Sequence, residues 1–165
     1  MPPELQIPAY QHLLINHIPI IGLAFAALSL GVALLMRNRP AQLIALGLVC
    51  VSAASMVVVN RTGHEAFEQL RTLVDDPGAP WMDAHLDRAE KATPVFYALA
   101  VLALVAALLP RRWPRIVVAL TVGSFVLALV CFGLSAWIAK AGGQIRHPEL
   151  RASAAPSPAP SEHHH

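Results

Sequence analysis

Four apolar runs, at about residues 18–36, 41–59, 90–109 and 116–139, fill most of the chain. A bilayer core of about 30 Å is crossed by roughly 20 apolar helical residues, so each run has the length of a span. The third is strictly apolar only over 95–109 and extends outward to about residue 90. No charged residue lies in the middle of any run; Ser, Thr and a rim Asn are the only interruptions. Such spans offer no relay of ionisable groups across a membrane, which disfavours an ion or proton transporter. The first and second runs, and the third and fourth, are joined by very short links, and short links make neighbours antiparallel. The pattern predicts an all-α, integral membrane four-helix bundle running up-down-up-down, with a polar helical extension on its outer face formed by the long connection at 60–94. Residues 1–150 are expected to form this one transmembrane domain. The Pro/Ala/Ser-rich stretch 151–165 is expected to be a disordered tail, and the terminal His163, His164 and His165 to be a tag remnant or an incidental polar end.

Composition agrees with the spans. Of 165 residues, 56% are hydrophobic and 13% charged, and mean hydropathy is +0.54; a soluble domain carries roughly 25% charged residues. The net charge of +2 hides a separation. The turns Arg37-Asn38-Arg39 and Arg111-Arg112-Trp113-Pro114-Arg115 carry five arginines and no acid, and all ten acids lie elsewhere. Dense basic turns beside span ends face the cytoplasm. That reading puts both termini and the 60–94 connection outside, in the periplasm of a bacterial inner-membrane protein. A plain count opposes it, since seven Lys and Arg lie on the other side, but these are spread among the acids. No basic patch interleaved with aromatics points to nucleic acid. Cys50 and Cys131 lie in apolar runs without CxxC spacing, so they read as packed core thiols rather than metal or haem attachment points.

The chemistry gathers at one end. His12, His17, His64, His85 and His147 all fall at the ends of the runs opposite the arginine turns. At 1.5 Å per residue, His17, His64 and His85 stand about 28, 34 and 36 Å from those turns, in one layer. Helical phase singles out His85. With 100° per residue, His85, Ala89, Ala92 and Phe96 share a stripe opposite Asp83, Asp87, Glu90 and Lys91, so His85 faces inward. Asn60, His64, Glu68 and Arg71 share another face, where Glu68 could orient His64 or the face could simply meet water. A straight helix cannot aim His12 and His17 at one atom, but a kink at Pro19 could turn His17 inward. Gly142-Gly143 is expected to end the fourth helix and let His147 and Glu149 fold over the bundle mouth.

Three pieces carry a resemblance. These are His12-Leu13-Leu14-Ile15-Asn16-His17-Ile18-Pro19, the Thr62-Gly63 turn with acids behind it, and Gly142-Gly143-Gln144-Ile145-Arg146-His147-Pro148-Glu149. Together they resemble a family of small four-helix bacterial membrane proteins of uncharacterised function, with an HxxxNHxP start and a GGxIRHxE end. The resemblance covers the chain to about Leu150 and implies His12, His17, His85, His147 and Glu149 as a set. It implies no reaction. This chain departs from the pattern in the middle, where His85-Leu86 stands in place of a His-Glu pair.

The leading expectation is therefore a metal site of His12, His17, His64, His85, His147, Glu68 and Glu149 at the periplasmic mouth. It would take Cu, Zn or Fe, for electron transfer or metal handling. Haem b held by His17 and His85 is the variant of that reading. The competing expectation is a non-catalytic structural or assembly subunit of a larger membrane redox complex. Its partners would be the bilayer, other membrane subunits and a periplasmic electron-transfer protein. A metal-dependent enzyme at the membrane surface ranks last, because His64-Glu65 begins an HExxH pattern that Glu68 breaks.

Overall fold

A computed structural model of the chain describes residues 7–110 and 112–151. Its helices are α1 (Pro8–Ile15), a π-helical segment (Ile18–Gly22), α2 (Leu23–Leu35), α3 (Arg39–Ala54), α4 (Met56–Arg71), α5 (Ala79–Leu108) and α6 (Pro114–Arg146), followed by a 3₁₀ turn (Pro148–Leu150). They form four long rods, Pro8–Leu35, Arg39–Arg71, Ala79–Leu108 and Pro114–Arg146, each long and apolar enough to cross a membrane. The described residues contain no strand. Each rod packs beside its neighbours in sequence, and α2 of the first meets α6 of the last, closing the ring. The N-terminal residues 1–6, Arg111 and the tail from residue 152 lie outside the described residues, as does the expectation of a disordered end.

The rods outrun the apolar runs that announced them. α6 has 33 residues, about 50 Å at helical rise, roughly 20 Å more than a bilayer core. The connection read as 60–94 is nearly all helix, because α4 continues to Arg71 and α5 begins at Ala79. Only residues 72–78 are left to turn. The surplus turns form a polar collar at the end that carries the histidines.

Two breaks have chemical causes. Pro19 has no N–H to donate, and around it the first rod widens into the π segment. Between α3 and α4, the Ser55 hydroxyl donates to Ser52 O at 2.7 Å, a back-bond that bends helices. Five buried hydroxyls, of Thr62, Thr93, Thr121, Ser124 and Ser135, likewise donate to the carbonyl four residues back. Hydroxyls satisfied this way can be buried in an apolar interior at little cost.

The interior is small-residue rich. Ala26, Ala27, Ala45, Ala53, Ala103, Ala106 and Ala128 pack around Leu23, Leu30, Leu46, Val49, Phe96 and Leu99, all essentially solvent-free. The exterior carries the bulk: Phe25, Leu28, Ile44, Val51 and Val101 are each more than 60% exposed. In water such a surface would be a large apolar patch. Against lipid tails it costs nothing, and alanine inside lets the backbones approach.

At the arginine end, α2 closes with two backbone bonds, Asn38 N–H to Ala33 O and Arg37 N–H to Leu34 O. This is the paired-bond termination in which glycine normally occupies the left-handed position. Here Arg37 occupies it, with φ 51°. Asn38 then caps α3 by accepting from Ala41 N–H at 3.1 Å. Arg39 turns inward and donates to Ala106 O at 2.7 Å and to Thr121 Oγ1 at 3.3 Å. It thereby satisfies a carbonyl in the last turn of α5 that helix geometry leaves unpaired.

Candidate functional site

The bundle mouth opposite the arginine turns brings two of the five histidines together. His12 on α1 and His85 on α5 stand edge to face, ring centroids 6.4 Å apart, at right angles. That spacing is within the range of a directly paired couple of rings. Each ring is held by the same device. His12 Nδ1 lies 3.1 Å from Val59 O, and a Cβ on Gly63, four residues on, would come within 3.1 Å of its ring. His85 Nδ1 lies 3.0 Å from Ile138 O, and a Cβ on Gly142, four residues on, would come within 3.1 Å of its ring. A helix carbonyl has a second lone pair to offer, and the glycine lets the imidazole reach it. A carbonyl only accepts, so in each ring Nδ1 is the donor and, in the neutral form, Nε2 the acceptor. The Thr62 hydroxyl sits 3.4 Å from His12 Nδ1 but is committed to Val58 O. The inward face assigned to His85 by helical phase is the face it uses.

The other histidines are elsewhere. His17 is exposed, at the start of the π segment. The break at Pro19 exists, yet it leaves His12 inward and His17 outward. His64 is exposed on α4, with Nδ1 3.0 Å from Asn60 O and Nε2 2.9 Å from Glu90 Oε1. Its orienting carboxylate is Glu90 of α5; Glu68 is exposed one turn further along. His147 is exposed and bonds Glu149 in its own turn at 2.9 Å. Glu149 is held below the usual carboxylate range by its own backbone N–H first and His147 second.

This geometry corrects the leading expectation. Among the described residues, no group of three or more His, Cys, Asp or Glu is placed to hold a metal ion. The proposed ligands His12, His17, His64, His85, His147, Glu68 and Glu149 do not converge. Two imidazoles meet; of the carboxylates that were to complete the shell, Glu149 bonds His147 in its own turn and Glu68 is exposed on α4. The haem reading falls too. His17 is exposed, and the ring that stands beside His85 is that of His12. The histidine cluster is a pair.

Other collar residues do structural work that the sequence did not signal. Arg151 reaches back over the mouth and clasps Asp75 through two bonds of 2.8 and 2.9 Å, while also donating to Gln144 O and Ile145 O at 2.7 Å each. The Arg151 guanidinium holds the Asp75 carboxyl below its usual range, and Asp75 in turn raises Arg151. Gly78 makes this clasp possible, since a Cβ there would run into Asp75 Oδ1 and Arg151 Nη2. Arg71 pairs with Asp83, joining α4 to α5. Arg88 donates to Trp137 O at 2.8 Å and lies over that indole at 4.8 Å. Asn60 Nδ2 donates to Thr93 Oγ1 at 2.7 Å, a polar link between α4 and α5 at the foot of the collar.

Gly142-Gly143 does not end α6, which runs through both to Arg146. The fold-back over the mouth follows at His147, and its anchor is Arg151. No family model, no curated protein and no solved structure matches the chain.

Proposed function

We propose that this chain is a non-catalytic structural or assembly subunit of a larger membrane complex. The observation that carries the reading is the state of its two surfaces. Much of its titratable collar is tied in clasps within the chain, as Asp75 with Arg151, Asp83 with Arg71 and Glu90 with His64 show. The lipid-facing flank, by contrast, carries glycines that serve no contact inside it. Gly47 on α3 and Gly133 on α6 are exposed, and a Cβ on either would meet nothing within 4 Å. Small residues on the outside of a span let a second helix approach closely.

In this reading the chain lies in a bacterial inner membrane with the arginine turns cytoplasmic and the collar periplasmic. The clasped collar is a rigid platform for a periplasmic partner. The likeness of its terminal motifs to small four-helix bacterial membrane proteins is part of the same proposal. Native electrophoresis of gently solubilised membranes tests it. The full chain should migrate in a complex well above its own 17.7 kDa plus detergent. Gly47→Leu or Gly133→Leu should shift it to the free form while leaving the purified chain's melting unchanged. Migration as a free chain from native membranes, or complexes indifferent to both substitutions, would refute the reading.

A further inference from the structure

A cleft lies between α2 and α6 at the arginine end. It measures about 840 Å³ and is floored by Gly31, Leu34, Val118, Val122 and Phe125, with Arg37 and Arg39 at its mouth. α2 and α6 touch where Gly31 meets the Phe125 ring; a Cβ at Gly31 would stand 3.0 Å from it. From that contact the cleft opens toward the arginine turn. Its walls run six residues along α2 to Arg37 and eleven along α6 to Pro114, about 9 and 16 Å at helical rise. That is part of the length of an acyl chain.

From this cleft we infer a binding site for one anionic phospholipid, its acyl chain along the apolar floor and its phosphate at Arg37. Three independent observations support the assignment. The lining is apolar apart from Gln42 and the two arginines, Arg37 and Arg39, which stand together at the turn end, the polarity profile of an amphiphile. No acid lies in either arginine turn, and the acids Glu65 to Glu149 belong to the opposite end. Finally, Arg37 holds the left-handed position that glycine would fill without strain, φ 51°, and its guanidinium has no partner among the described residues. A strained backbone conformation retained for a charged side chain points to a use for that charge. Arg39 is already bonded to Ala106 O and Thr121, so it contributes field rather than a free donor set. Basic pockets between helix ends on the cytoplasmic side attract anionic headgroups, each arginine adding about 1 kcal/mol, or about fivefold in affinity.

Native mass spectrometry of the full chain in detergent, with phosphatidylglycerol and phosphatidylcholine of identical chains, tests this. Wild type should retain phosphatidylglycerol preferentially. Arg37→Asn, which tolerates the left-handed backbone, should lower that retention about fivefold and leave phosphatidylcholine unchanged. Val118→Trp should fill the cleft and abolish retention of both. Equal retention of the two lipids by wild type would overturn the inference, as would indifference to both substitutions. Displacement of the phospholipid by millimolar inorganic phosphate would make it a phosphate site and overturn the lipid. Complex dissociation by Val118→Trp with lipid retention intact would give the cleft to a partner helix.

Discussion

At the scale of single residues, the mouth is organised by where imidazole nitrogens can find an acceptor. His12 and His85 are bonded to main-chain oxygens of Val59 and Ile138, and that fixes the tautomer. Nitrogen-15 NMR of the purified chain should show both neutral rings protonated at Nδ1; protonation at Nε2 in either would contradict these hydrogen bonds. The glycines beneath them are the sensitive positions. Gly142→Val would press a branched side chain into the His85 ring, displacing it from Ile138 O. The expected loss is about 1–3 kcal/mol, the cost of a buried hydrogen-bonding group left without its partner, read as a lowered midpoint of thermal unfolding in detergent. The same substitution at Gly143, where a Cβ would meet nothing within 4 Å, is the control and should cost markedly less. His85 was legible from sequence because its helix separates charged from small apolar residues over several turns. Gly142 was not. A glycine near a run's end has two uses, a cap or a close approach, and only the position of the facing histidine decides between them.

At the scale of elements, the collar is locked by one crossing. The turn Pro148–Leu150 folds over the mouth because Arg151 fastens it to Asp75 in the 72–78 loop. Asp75 is more acidic in the clasp than free, so the clasp is fully present above the ordinary aspartate value of about 3.9 and is lost as pH falls through the depressed value. Amide hydrogen exchange should therefore find residues 147–151 protected at neutral and mildly acidic pH and opening only in stronger acid. Asp75→Asn should open the segment at every pH. Protection that survives Asp75→Asn would take the fastening away from this pair. At the arginine end, Arg39 plays the corresponding role within the bundle. Arg39→Gln should lower stability by about 1.5–3 kcal/mol, the worth of hydrogen bonds to a charged group, read by thermal melting. The four long apolar helices were readable from hydropathy alone, because a charge-free run of that length has few other uses. Their clasps were not, since Asp75 and Arg151 lie 76 positions apart and neither sits in a local pattern.

At the scale of the whole molecule, charge separates along the long axis: an acid-free arginine end and a mixed collar about 50 Å away, the length of α6. Alternation of four rods put the histidines at one end, and that part of the sequence reading rests on topology alone. Convergence onto one atom was a stronger demand. It required three or more side chains to share a point as well as a layer, and helical phase scattered them around the rim. Equal depth is what hydropathy can report; azimuth depends on breaks such as those at Pro19 and Ser55, whose bend directions no local residue specifies. The same polarity predicts insertion. Dense arginines beside short turns are held on the cytoplasmic side, so a cysteine placed at Asn38 in a chain lacking Cys50 and Cys131 should be shielded from a membrane-impermeant maleimide in intact cells. One placed at Asp76 should label. The reverse pattern would invert the molecule. The collar would then face the cytoplasm, and the cleft at Arg37 would open to the outer leaflet, whose lipid composition is the variable that decides how often that site is filled.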